Sequence, residues 1–283
     1  MTDDHFIGDI PANYERYLGP LIFEDFARDT ATRVALLSPK KVLETAAGTG
    51  IVTRQLRRLM PGESELTATD LSSAMLQLAR AKFKPSEQVR FQPADAASIP
   101  FDDSSFDVVV CQFGIMFYPD RQQSNREILR LLVPGGHYVF SVWDSHEHNA
   151  FGRIAHRIAV DSFPSDPPPF YLTPFSCHEI DPLKEALITA GFVDIEIAVV
   201  SIRKDVPDAS ALARGLVFGN PMADQIRARD GNPNDMLGAL TDALATEISK
   251  GGGQAQLQMI VFSARKPSYP GGALHNGLKG NSK

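Results

Sequence analysis

Between residues 41 and 144, short aliphatic runs alternate with segments of helical periodicity, and this rhythm restricts the fold more than any other property of the chain. "KVLETA", "ELTATD", "VRFQPAD", "FDVVVCQFG" and "HYVFSVWD" read as five strands. The segment after the first places Val52, Leu56, Leu59 and Met60 on one helical face. "SSAMLQLARAKF" offers Ser72 as an N-cap and Met75, Leu76, Ala79 and Phe83 as an apolar stripe, and "RQQSNREILRLL" supplies a further helix before "VPGG". Strands joined through helices run parallel and need cover on both faces. The expected class is α/β, a doubly wound and mostly parallel sheet.

The flanks follow different rules. "ANYERYL" and "LIFEDFARDTATRVALL" predict two opening helices within residues 1–36. Beyond residue 145 comes a helix at "AFGRIAHRIAV", then "DSFPSDPPPFYLTPF", whose five prolines cannot continue it. "DPLKEALITAGF" restores a helix, with Asp181 as its cap, Pro182 at its first position and Gly191 at its end. A sixth strand at "DIEIAVVSIRKDV" and a seventh at "AQLQMIVFSARK" complete a seven-stranded sheet. Some forty residues separate those two strands, among them an amphipathic stretch with Leu237, Leu240, Leu244 and Ile248 on one face. The main domain is therefore expected over 37–265, with a core at 37–145, substrate-side segments at 146–180 and 208–250, and a disordered Gly- and Pro-rich tail at 266–283. The two substrate-side segments are expected to overhang the sheet's carboxyl edge as a lid.

Composition excludes several classes. The 283 residues are 43% hydrophobic, enough for a sizeable core, and no run reaches the length of a membrane span. Cys111 and Cys177 give neither a disulfide framework nor zinc spacing, so a cytoplasmic setting is expected. A formal net charge of −6 argues against a nucleic-acid surface. "HEH" at 146–148 with His156 has no matching acid pattern, so no metal is expected. A monomer and a homodimer both remain open.

The chemistry concentrates at "VLETAAGTG". Gly48 and Gly50 suit the first two glycines of a dinucleotide turn, but Thr53 stands where the third belongs. Glu44 at the strand's end would repel a pyrophosphate, whereas it suits a cofactor carrying an ammonium and a sulfonium. Asp70 lies at a spacing fit for a ribose-binding acid. A polar residue such as Gln112 at a strand end needs no ligand, and Asp70 or Asp95 could serve only as a cap or a turn.

Taken together, these residues resemble the Rossmann-like core of class I S-adenosylmethionine-dependent methyltransferases, in the branch with small-molecule and quinone-precursor methylating enzymes. "ETAAGTG" is similar to that family's acid-x-x-x-Gly-x-Gly motif and "TDLSSAML" to its second motif. "DAASIPFDDSSFDVVVCQFGIMFYPD" is similar to its adenine segment and fourth strand, and "LRLLVPGGHYVFSVW" to its approach to the fifth. The likeness covers residues 42–144 and is loose beyond 145. It implies S-adenosyl-L-methionine as cofactor. Gly48 and Gly50, with Ala46, would lie beneath the methionyl part, and Glu44 would hold the ammonium, directly or through water. Asp70 would accept from the ribose hydroxyls, Leu71 would lie against the adenine, Met75 would also touch the cofactor, and Asp95 with Ala96 would meet the adenine amino group. Gln112 and Phe113 would close the methionine side, and Tyr17 and Tyr14 would fold over the cofactor.

"DPPPFY" at 166–171 resembles a base-gripping motif of nucleic-acid amino-methylating enzymes, yet it follows the fifth strand rather than the fourth. A small, apolar or aromatic acceptor is expected instead, facing Tyr14, Phe113, Met116, Phe117, Tyr171 and Phe218, with Phe170 and Phe175 beside them. In-line transfer of an already activated methyl mainly demands alignment. Should a general base be needed, His146, His148, His178 and Tyr171 are the candidates. Two other readings stay open: a cofactor-binding regulatory or scaffold protein without catalysis, and an NAD(P)-dependent oxidoreductase.

Overall fold

In the computed structural model, residues 6–268 are described. One mixed sheet of seven strands organises them, in the order β3-β2-β1-β4-β5-β7-β6. The strands are β1 (Lys41–Glu44), β2 (Glu65–Asp70), β3 (Val89–Pro93), β4 (Phe106–Gln112), β5 (Leu132–Trp143), β6 (Val193–Asp205) and β7 (Gln254–Arg265). β1 to β5 run parallel, while β7 is antiparallel to both β5 and β6. Val42, Leu43, Val109 and Val110 are fully buried, as strands covered on both faces require. The chain leaves β1 first toward β2 and β3, then returns to β4 on the other side. That reversal is the switch point where open α/β sheets bind ligands.

Helices α3 (Ile51–Leu59), α4 (Ser73–Ala81) and α5 (Arg121–Leu131) make the crossovers. Val52, Leu56 and Met60 are buried as expected, whereas Leu59 shares the exposed end of α3 with Arg58. Ser72 caps α4, its hydroxyl accepting from Met75 N. The two expected opening helices are one continuous helical run, composed of α1 (Ile10–Asn13), a π-helix (Tyr14–Phe23) and α2 (Glu24–Leu36). Pro20 sits in the wide-turned middle, where it has no N–H to give to an ordinary α-ladder.

Beyond the core, α6 (Ala150–Ser162) and α7 (Ile180–Ala190) precede β6. Asp181 does not cap α7: Glu179 holds that position without a side-chain bond, and Asp181 lies in the first turn, where its charge complements the helix dipole. Between β6 and β7 stand α8 (Ala209–Phe218), α9 (Met222–Arg227) and α10 (Pro233–Lys250). The expected tail lies mostly outside the described residues.

Candidate active site

Every strand from β1 to β5 delivers a candidate group to the same edge. Glu44 closes β1, Asp70 closes β2, Asp95 follows β3 by two residues, Gln112 closes β4 and Trp143 closes β5. Between them opens a cavity of about 210 Å³, with a smaller pocket beneath its glycine-turn end.

Glu44 is buried, and its Oε2 accepts a 2.6 Å hydrogen bond from the Thr53 hydroxyl. Burial pushes its pKa up to about 8, the Thr53 bond opposing and nearby Asp70 reinforcing the shift. Thr53 thus departs from the three-glycine pattern because its hydroxyl serves this carboxyl. Gly48 has φ +54°, open space where a Cβ would stand, and a place in both pockets. Gly50 serves differently. A Cβ there would come within 3.0 Å of the Ala79 Cβ, so this glycine brings α3 against α4 and lines neither pocket.

Asp70 ties the turn to the second strand. Its Oδ2 accepts from Gly48 N at 2.7 Å and its Oδ1 from Ser72 N at 2.8 Å. These two bonds orient the carboxylate, and Asp70 lines the cavity. Asp95 accepts from Ala97 N at 2.8 Å and lines the cavity with Ala96, Leu71 and Met75.

Ala46 and Phe113 both hold positive φ, 51° and 53°, an uncommon state that places two strand-end loops side by side. Gly114 permits that approach, since a Cβ there would meet the Ala46 Cβ at 2.5 Å and the Cys111 sulfur at 2.7 Å. Phe113 stacks on Trp143 with centroids 4.1 Å apart, and Phe23 and Phe26 pack beside the pair. The far wall comes from Phe151, Phe170, Tyr171 and Phe175.

The expected residues therefore divide. Glu44, Ala46, Gly48, Asp70, Leu71, Met75, Asp95, Ala96, Gln112 and Phe113 border the two pockets, as do Tyr14, Phe117 and Tyr171. Met116 is buried in the core beside them rather than in the lining. Tyr17 and Phe218 lie off the cavity, with the Arg214 guanidinium 5.8 Å and 5.4 Å from their ring centroids.

The base candidates do not converge on the cavity. Tyr171 contributes its ring, but its hydroxyl donates to Leu216 O at 2.6 Å and accepts from Asn220, and burial raises its pKa well above the ordinary tyrosine value. His146 packs outside the lining against Phe175 and His156, and burial lowers its pKa. His178 Nδ1 is paired with Phe175 O at 2.8 Å, and His148 also stands off the lining. Among the described residues, no group of three His, Cys, Asp or Glu could hold a metal ion. Of the overhanging segments, the proline stretch and α8 reach the cavity through Phe170, Tyr171, Pro174 and Leu216, while α10 packs behind them on α6 and α8.

Sequence reasoning missed Phe23, Trp143, Phe151 and Asn220. Trp143 was findable, since the last residue of a parallel strand at the switch edge faces the crevice. The other three depend on how the opening and insertion helices pack, which no local pattern records.

The fit to a nucleoside cofactor rests on this geometry. The Thr49 hydroxyl is fully buried beside the smaller pocket with no partner among the described residues, Gly48 leaves open space, and two acids project from successive strand ends. A known family described as a methyltransferase domain matches residues 43–140. Residues 43–140 are similar to a methyltransferase domain.

The ubiquinone/menaquinone biosynthesis C-methyltransferase UbiE of Idiomarina loihiensis is 34% identical over 137 residues, covering 43% of this chain and 55% of that one. The demethylmenaquinone methyltransferase of Thermus thermophilus is 36% identical over 118 residues, covering 41% and 53%. The chain spans about half the length of these curated relatives. In three dimensions it resembles phosphoethanolamine N-methyltransferase 2 of Haemonchus contortus, with a TM-score of 0.56 at 17% identity, over 91% of this chain and 56% of that one. That likeness is one of fold. No described helix is long and apolar enough to cross a membrane.

Proposed function

We propose that the chain transfers the methyl of S-adenosyl-L-methionine to a small apolar or aromatic acceptor. The observation that carries this reading is the continuity of two unlike surfaces. An acid-rimmed nucleoside groove at Glu44, Asp70 and Asp95 opens into an aromatic chamber around Trp143, Phe113 and Phe151.

When bound, the cofactor supplies a methyl already activated on sulfur. The protein's part is then alignment and dryness. Asp70 and Asp95 fix the nucleoside, and Glu44 fixes the ammonium end. The stacked Phe113–Trp143 pair presents a flat apolar wall for an acceptor ring. Orientation of this kind can supply roughly 7–11 kcal/mol of the barrier. The three histidine candidates and the committed Tyr171 hydroxyl take no part, so the acceptor is one that gives up its proton readily or has none to lose.

The names of the curated relatives direct the first test toward quinone-type rings. Methyl-labelled cofactor incubated with such rings, amines, thiols and carboxylates should label the first class. Labelling of none, with the cofactor still bound, would favour the non-catalytic binding reading. The negative formal charge of −6 supports a small molecule rather than nucleic acid as substrate, and on this reading the chain acts in the cytoplasm as a monomer or homodimer.

A further inference from the structure

Thr30 is a buried polar residue on the apolar face of α2, beside Phe26, Ala27, Ala31 and Val34. Its hydroxyl donates to Gln112 Oε1 at 2.8 Å, across 82 positions of sequence. Gln112 Nε2 meets Phe23 O at 3.4 Å. These two contacts determine which way the amide faces. A backbone carbonyl only accepts, so the Gln112 nitrogen must stand on the Phe23 side and its oxygen must turn to Thr30.

The consequence lies in the smaller pocket. Gln112 is half-buried and borders that pocket together with Glu44, Gly48 and Thr49. With its oxygen held by Thr30, the group it can offer there is an amide N–H. The pocket then contains an acceptor at Glu44 and a donor at Gln112, which suits the ammonium and the carboxylate of one amino-acid end. We propose that Thr30, which borders neither pocket, is a positioning residue that locks Gln112 as the donor to the cofactor's α-carboxylate. This rests on the methyltransferase reading above. It assigns to the opening helix a role in holding the cofactor's amino-acid end, in addition to covering the crevice.

The test compares two ligands that differ only at that end. S-adenosylhomocysteine carries the amino-acid group, while 5′-methylthioadenosine keeps the nucleoside and thioether and lacks it. In calorimetric titrations Thr30→Val should weaken S-adenosylhomocysteine about tenfold, as expected when a hydrogen bond to a charged group is lost. Methylthioadenosine affinity should be unchanged. Thr30→Ser, which keeps the hydroxyl, should restore most of the affinity. Gln112→Leu should reproduce the loss, and combining it with Thr30→Val should add little. Equal weakening of both ligands, or no weakening of either, would overturn the assignment and leave Thr30 as packing. Should wild-type protein bind neither ligand, the methyltransferase reading itself fails, a result distinct from either of these.

Discussion

The buried carboxyl of Glu44 should make the protein lose stability as the solution becomes alkaline, and the size of the effect follows from its surroundings. An ordinary glutamate titrates near 4.5, and burial raises this one to about 8. Between those values the folded protein holds a proton that the unfolded chain has released. The extra stability is therefore complete below the unfolded value and is lost as pH rises toward the folded one. Each pH unit in that window is worth about 1.4 kcal/mol, so raising the pH from about 5.5 to about 8.5 should remove on the order of 3 kcal/mol. Glu44→Gln keeps the shape and an acceptor for Thr53 but cannot ionise. Urea unfolding can be followed through the single tryptophan, Trp143, which is buried in the site. Other titrating groups cancel when wild type and mutant are compared. The two should differ little near pH 5.5, apart from a constant offset, and diverge by about 3 kcal/mol near pH 8.5. Parallel profiles would refute the reasoning and mean that Glu44 is already ionised, the attraction of the Lys82 ammonium, which favours its charged form, outweighing its burial.

The same carboxyl should release a proton when it meets the cofactor's ammonium. At about pH 7, binding enthalpies for S-adenosylhomocysteine should differ between buffers of unlike ionisation enthalpy in wild type, and should agree for Glu44→Gln. Asp70→Ala should weaken S-adenosylhomocysteine at least about tenfold, and should also lower the melting temperature because two backbone N–H groups lose their acceptor at about 1–3 kcal/mol each. Tyr171→Phe should destabilise the protein by about 1 kcal/mol through the lost bond to Leu216 O, while the pH profile of methyl transfer stays in place. A profile displaced by that substitution would return Tyr171 to the list of bases.

Much of this architecture was legible because parallel strands write their ends plainly. "ETAAGTG" and "ELTATD" locate Glu44, Gly48 and Asp70 at one edge, since every strand linked by a right-handed crossover points the same way. The Thr53–Glu44 bond was half visible, as an unexplained departure from the three-glycine spacing. The aromatic chamber was legible only in part. Tyr171 reads as a candidate base, but its hydroxyl is taken by Leu216 and Asn220, which are distant in sequence and reach it only through the packing of α8. Tyr17 and Phe218 read as pocket residues, yet a single arginine, Arg214, covers both rings. At the end of the widened helix over Tyr14–Phe23, the Phe23 ring packs against Trp143. Such placements are decided by contacts between segments far apart in the chain, and no local periodicity encodes them.

The most direct test of the central claim is a competitive titration of the purified protein with S-adenosylhomocysteine and with NAD. Glu44 beside the glycine turn, with Asp70 and Asp95 at the neighbouring strand ends, requires S-adenosylhomocysteine to bind and NAD to leave it undisplaced at comparable concentration. Preferential binding of NAD would contradict the account, because NAD brings no ammonium to pair with the buried carboxyl that the structure sets at the end of β1.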